Sequence, residues 1–281
     1  MFGSITRFSS MPSADWGEQL LSVVATQVIR HLFTASDRVE VRVECTPQIK
    51  LLQGQVDRFQ MSGSGLVIRH AFRTEAMEFE TDAVSIDFAG LLQGRLLLRQ
   101  PTQAIAKVVL LEEDINRAFT APLVVQHLEN LPLQDWQDLP GSGLAKAESV
   151  SFQSIQVRLL ASNRIALSAQ ACFGADQPVP IALQATLGIE RRRRLRFLNC
   201  QFDPDGLPDR AALGEEAIAL AASASERLGK ILDQLVDLDR FNLDGVTLRI
   251  NTIETRGQQL VFSGWAQVNH VPETTTPGLV A

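Results

Sequence analysis

Apolar positions along the chain change period from four to two within the first fifty residues. Trp16, Leu20, Val24, Val28 and Leu32 recur at every fourth position, and Leu21, Ala25 and Ile29 widen the stripe. That spacing predicts a helix over Asp15 to Thr34 with more than half of its circumference apolar, a helix enclosed by protein or laid against apolar material. His31 falls within the stripe and reads as a core histidine. Directly afterwards Val39, Val41, Val43 and Cys45 alternate with Glu40, Arg42, Glu44 and Thr46, the period of a half-buried strand. Further strands are expected over Gly54 to Met61, Gly65 to His70, Met77 to Phe88, Arg95 to Arg99 and Ala104 to Leu111. Gly63 and Gly65 mark a tight turn or bulge. Between Met77 and Phe88 the apolar parity shifts from Met77 and Phe79 to Val84, Ile86 and Phe88, which predicts a β-bulge or bend near Asp82.

Glu112 to Ala121 reads as a short helix whose first-turn acids, Glu112, Glu113 and Asp114, complement its positive end. The Pro/Gly-containing stretch Asn130 to Ala147 is a connection between two halves. The second half repeats the strand theme at Ser151 to Leu160, Arg164 to Phe173 and Pro180 to Gln201. Ile165, Leu167, Ala169, Ala171 and Phe173 share one face there, as do Ile181, Leu183, Ala185, Leu187 and Ile189. A second helix is expected over Asp209 to Leu238, with Leu213, Ala217, Leu220, Ala224, Leu228, Ile231 and Leu235 in its stripe. Strands return at Gly245 to Thr252 and Gln259 to His270. The fold class is therefore α+β with long antiparallel strands. The layout expected is a flexible start (1–13), one domain (14–271) of two halves (14–130 and 148–271), and a disordered tail (272–281).

Composition narrows the function classes. A net charge of -6 gives no general electrostatic reason to bind nucleic acid, so no nucleic-acid partner is expected. Of the 26 basic residues only Lys50, Lys107, Lys146 and Lys230 are lysines; the rest are arginines, the side chain that grips phosphate and carboxylate with two prongs. Cys45, Cys172 and Cys200 form no metal or redox motif and read as reduced structural residues. Neither an export signal nor a run of the roughly 20 apolar residues a spanning helix needs is evident, and a cytoplasmic location with peripheral membrane contact is expected. No phosphate-binding loop, dinucleotide fingerprint, nucleophile elbow or zinc motif occurs, and His31, His70, His127 and His270 are scattered singly. Neither an enzyme nor a cofactor is expected.

Glu190 to Arg196, Glu-Arg-Arg-Arg-Arg-Leu-Arg, is the one charge run. Continued as a strand from Pro180, it puts Arg192, Arg194 and Arg196 on one face, a ladder able to hold a lipid phosphate or an anionic bilayer. The same residues also serve as a solvated strand end that discourages edge pairing.

Four segments together resemble one family: LLQGQVDRF from Leu51, SGSGLVI from Ser62, DAVSIDFAGLLQGRLLLRQPTQAIAKVVL from Asp82 and LLEEDINRAF from Leu110. They are similar to the LmeA family of bacterial phospholipid-binding proteins. The resemblance implies a tubular lipid-binding, TULIP-like fold, in which a strongly curved antiparallel sheet wraps around long amphipathic helices and leaves an apolar groove. It also implies non-enzymatic binding of a phospholipid or other acyl-chain lipid. Leu20, Val24 and Val28 of the first helix and Leu228, Ile231 and Leu235 of the second would line the groove, with Arg192, Arg194 and Arg196 at the headgroup. The alternative is a protein-interaction or scaffold module whose groove is filled by its own side chains.

Overall fold

A computed structural model describes residues 16–47, 49–68, 71–87, 89–90, 93, 97–133, 148–174, 178–208, 210–235 and 245–270. The first half holds α1 (Trp16–Arg30), β1 (Arg38–Glu44), α2 (Ile49–Leu52), β2 (Gln55–Val56), β3 (Arg58–Ile68), β4 (Phe72–Thr81), β5 (Val84–Ser85), β6 (Thr102–Leu111), α3 (Glu112–Ala118), α4 (Pro122–Val125) and β7 (Leu131–Pro132). After it come β8 (Ser149–Leu159), β9 (Arg164–Phe173), β10 (Val179–Glu190), β11 (Arg194–Phe202), α5 (Glu215–Leu235), β12 (Val246–Arg256) and β13 (Gln259–Val268). The class is α+β with few helices, and the strand pairs among the described residues are antiparallel.

Six strands in the order β1-β3-β4-β6-β13-β12 form a strongly curled, half-barrel sheet, and β11-β10-β9-β8-β7 form a second one. The C-terminal hairpin β12–β13 returns to the first sheet, where β13 pairs with β6 from Gln259 opposite Leu111 to Val268 opposite Thr102. The five-stranded sheet is thus an insertion between two neighbours of the six-stranded one. Each sheet carries its own helix. Leu21, Ala25 and Ile29 of α1 bury against Val39, Val41 and Val43 of β1, while Ala221, Ala224, Leu228 and Leu232 of α5, which packs on β10 and β11, share one core with the inward residues of β8, β9 and β10. Burying each large apolar side chain contributes about 1.5–3 kcal/mol, which is why the alternating runs commit one face inward.

A sheet edge exposes unpaired amides and carbonyls, and here side chains cover both edges of the curled sheet. At β1 the Val41 and Val43 amides donate to Thr26 Oγ1 (3.0 Å) and Ser22 Oγ (3.1 Å) of α1. At β12 the tight turn between β8 and β9 docks through Asn163, which donates from Nδ2 to the Ile253 carbonyl (2.9 Å) and accepts from the Thr255 amide (3.0 Å). The turn between β10 and β11 adds a bond from the Ile250 amide to the Arg192 carbonyl (2.6 Å). Helix α3 treats β8 in the same way: Asn116 accepts from the Val157 amide (2.6 Å) and donates to the Val157 carbonyl (3.0 Å), and Glu112 accepts from the Leu159 amide (2.7 Å).

Several sequence expectations are corrected. The run from Pro180 to Gln201 is a hairpin, because Arg191 and Arg192 take positive φ (48° and 59°) and the Arg193 amide closes the turn on the Glu190 carbonyl. Positive φ at both central residues suits the twist of paired strands, yet such turns ordinarily use Asn and Gly, so the arginines gave no turn signal. The stretch Gly54 to Met61 belongs to two strands, and β3 runs straight through Ser62–Leu66 without a turn. Gly65 lies at φ +57° there, and a Cβ on it would meet the Asp37 carboxylate. The bend expected near Asp82 is present, and it divides Met77 to Phe88 into two strands: β4 ends at Thr81, and β5 leaves to pair with β2. Helix α5 begins at Glu215 rather than Asp209, after a 3-10 turn at Arg210–Ala212. His31 is exposed, since α1 ends at Arg30 and the following turn carries the ring off the buried stripe. Of the Arg95 to Arg99 expectation, Arg95 and Leu96 lie outside the described residues, and Leu98 forms a single bridge to Ile86.

Gly264 in β13 sits beside the bulge at Asn251, and a Cβ there would lie 2.0 Å from the Arg249 carbonyl oxygen of the neighbouring strand. Backbone cannot yield as a side-chain tip does. Gly264→Ala is expected to destabilise the protein by about 1–3 kcal/mol, or more if the hairpin separates, read as a fall in the urea midpoint. An unchanged midpoint would mean that β12 does not approach β13 this closely.

Candidate functional site

The cross-strand registers line up three rows across one face of the curled sheet. They read Val43-Phe59-Thr81-Ala104-Ala266-Leu248, then Val41-Met61-Phe79-Ala106-Gly264-Ile250, then Val39-Gly63-Met77-Val108-Phe262-Ile253. All but Thr81 are apolar or glycine, because strict alternation sends the intervening residues to the other side. That other side carries Arg42, Gln60, Glu80, Glu40, Ser62, Glu78 and Lys107, with Ile105, Trp265, Ala76, Val109 and Val261 among its apolar members.

The two cores occupy opposite ends of the apolar face. Val39, Val41, Val43 and Met61 belong to the core under α1, with Met77 and Phe79 at its margin; Ile253 and Leu260 belong to the core under α5, with Leu110 and Phe262 at its margin. Between these margins Ala106, Val108, Gly264 and Leu248 stay half-buried, and Val108 and Leu248 belong to neither core. Ala106 opposite Gly264, and Ala104 opposite Ala266, give this middle stretch a floor of small residues walled by Met77, Phe79, Val108, Phe262 and Leu248. The curl makes this a shallow apolar trough, in which Ala104 and Ala266 are already buried (3% and 1% exposed) and Ala106, Val108, Gly264 and Leu248 keep partial exposure.

Two spaces flank α1. Beneath it, between Leu21 and Ala25 and the side chains of Val43, Val56, Phe59, Val84 and Ile86, is an apolar crevice whose free volume of about 10 Å³ is no more than one water needs. Along its outer flank runs an open cleft of about 500 Å³, lined by Ser22, Val23, Thr26, Gln27, Arg30 and His31 with Val41 at the base.

The arginine run is engaged at home. The turn lifts Arg192 off the strand, where its Nε donates to Asn251 Oδ1 (3.1 Å). Arg194 reaches Glu190 (3.4 Å), and Arg196 bonds Asp233 of α5 (2.7 Å) and Glu190 (3.2 Å). Asp233 Oδ1 also accepts the Phe197 amide (2.8 Å), so this carboxylate pins α5 to β11. The Asp233 hydrogen bond, with its charge, raises the Arg196 pKa above the ordinary guanidinium value. Burial, then the same carboxylate, pushes the Cys200 thiol up.

Of the groove residues expected from the sequence, Val24 and Val28 are half-buried against the core under α1, Leu228 is fully buried within the core under α5, and Ile231 is half-buried at its margin. The structure does not bring the α1 and α5 sets together, because each helix packs on its own sheet. The side chains of Leu20 and Leu235 lie outside the described residues. Sequence reading missed the small-residue floor, Ala106 and Gly264; the available signal was the run of small residues at alternate positions in Ala104, Ala106, Gly264 and Ala266. Among the described residues no group of His, Cys, Asp and Glu could hold a metal ion, and no helix is long and apolar enough to cross a membrane.

A family model described as LmeA-like phospholipid-binding matches residues 13–264. No curated protein and no solved structure matches the chain.

Proposed function

The chain belongs to the LmeA-like phospholipid-binding family, and from that premise we propose that it binds a phospholipid or similar amphipathic lipid, without acting on it, by laying an acyl chain in the apolar trough of the curled sheet. The observation that carries this reading is the half-buried, small-floored stretch between the two cores, with Val108 and Leu248 assigned to neither. A methylene gains about 0.8 kcal/mol on leaving water, so roughly ten of them laid there gain about 8 kcal/mol, against which the cost of holding the chain is set. Val24 and Val28 of α1 border the α1 end of this site. We read the curled sheet with its edge helix as TULIP-like. Ile49 and Leu52 of α2, 59% and 66% exposed, supply apolar contacts for a peripheral stay at a membrane surface.

A ring placed on the trough floor is the direct test. Ala106→Phe is expected to abolish co-purifying lipid, measured by native mass spectrometry and lipid analysis of an extract, with the thermal midpoint unchanged; Lys107→Ala on the opposite face is expected to leave lipid in place. Full lipid occupancy in Ala106→Phe would remove the trough from the reading. The nearly closed crevice beneath α1 favours a second reading, in which the protein fills its own groove and serves as an interaction module. Wild-type protein that carries no lipid from membranes and takes up none from vesicles would select that reading.

A further inference from the structure

The cleft on the outer flank of α1 can donate hydrogen bonds far better than it can accept them. Ser22 Oγ and Thr26 Oγ1 each accept a β1 amide, which leaves both hydroxyl protons to donate elsewhere. Gln27 adds an amide, Arg30 a fork of five N–H groups and His31 a ring N–H. Arg30 and His31 are exposed and enter no ion pair among the described residues, and among those residues no carboxylate lines the cleft. Elsewhere on the surface Arg38 meets Glu40, Arg58 meets Glu44 and Glu80, and Arg256 meets Glu254. Cations at a helix C-terminus complement its dipole, which accounts for Arg30, and the β1 edge accounts for the two hydroxyl oxygens, but neither accounts for the cavity. The base of the cleft is Val41, and Val41, Met61, Phe79 and Ala106 follow one another in a single row across the sheet. The base of the cleft therefore shares a row with the half-buried stretch, with buried Val41 and Met61 of the α1 core between them.

We infer that this cleft binds a phosphate ester anion, the headgroup phosphate of the lipid whose chain lies in the trough, with the Arg30 guanidinium taking two phosphate oxygens and Ser22, Thr26 and Gln27 donating to the others. The inference rests on the acyl-chain reading above. It moves the headgroup away from Arg192, Arg194 and Arg196, which would have to give up Asn251, Glu190 and Asp233 to bind it.

The test compares binding of fluorescent phosphatidic acid with that of the diacylglycerol of the same chains. Wild type is expected to prefer the phosphate-bearing lipid about tenfold or more, the worth of one charge-assisted pair. Gln27→Glu/Arg30→Ala, both at exposed positions, is expected to erase the preference while keeping diacylglycerol affinity and a cooperative thermal transition; single Arg30→Ala gives an intermediate loss. A preference that survives in the double variant, or that falls only when Arg192, Arg194 and Arg196 are replaced together, overturns the cleft and leaves the acyl-chain reading standing. Binding of neither lipid by wild type overturns both. Sn-glycerol 3-phosphate separates the sources: competition by it in the wild type but not in the double variant supports the phosphate site, and its binding in the absence of any lipid binding assigns the cleft to a soluble phosphate ester and overturns the headgroup role.

Discussion

Leu228→Glu is expected to unfold the five-stranded sheet and its helix. Leu228 has no exposed surface, and it lies in the α5 seam with Ala221, Ala224, Ser225 and Leu232, which are likewise closed to solvent. The seam is tight: a Cβ on Gly229 would lie 3.0 Å from the Cys200 sulfur of β11. Truncation to alanine alone costs about 2–5 kcal/mol in such a place. A carboxylate adds the penalty of a buried polar group without a partner, and the sum approaches the whole 5–15 kcal/mol of a typical domain. Thermal unfolding and limited proteolysis check this, with Leu228→Ala as the milder variant expected to fold and to lose about 2–5 kcal/mol. A folded Leu228→Glu protein with an unchanged midpoint would show that α5 does not pack on β10 and β11. Because the same residue was expected from the sequence to line a lipid groove, lipid retention in folded Leu228→Ala separates the roles: a core residue leaves retention intact.

Asp114→Ala is expected to carry the second-largest cost. The Asp114 side chain is 3% exposed at the start of α3, and it accepts from Arg73 of β4 at 2.8 Å and faces Arg117 at 3.6 Å. Burial works against the Arg73 charge, but the hydrogen bonds to Asp114 and Glu75 outweigh it and leave the pKa above its usual value. Removing one partner of a buried pair costs about 3–5 kcal/mol, because the other charge is stranded. Here Glu75 (3.0 Å) and Asp37 (3.6 Å) remain beside an Arg73 that is itself 27% exposed, so a loss near the lower figure is expected in urea unfolding. Asp114→Asn is expected to lose less, since it keeps the volume and an acceptor. The ion pair joins α3 to β4 just where Asn116 and Glu112 hold β8, so the loss extends to the docking of one sheet on the other.

The lipid reading and the second sheet are connected by the same chain geometry. Turns at Asn163 and Arg192 cap the β12 edge and α1 caps the β1 edge, while the apolar face keeps only partial exposure, as at Ala106, Val108, Gly264 and Leu248.

How much of this was legible beforehand follows from the range of each interaction. The alternation Val39, Val41, Val43 and the matched odd residues of β9 and β10 specified strands and their inward faces, since a strand's faces depend only on parity within one segment. The stripe of α1 and the extent of β6 and β9 were read for the same reason. The acidic first turn of α3 was also legible, although not the pairing of Asp114 with Arg73, forty-one residues earlier.

Pairing was beyond the sequence. The next strand in the chain after β6 is not its neighbour in space, and only tertiary structure brought β13 beside it, setting Ala106 opposite Gly264 to make the trough floor. The arginine run shows the limit most clearly: parity made a ladder of Arg192, Arg194 and Arg196, whereas a turn with two positive φ values, held by Asn251 and the Ile250 amide of a distant strand, turned it into a clasp. The sequence by itself thus determined which residues face inward and the family to which they belong. The tertiary structure decided which inward faces meet, which polar groups find partners and which stay free, because those outcomes depend on contacts between segments far apart in the chain.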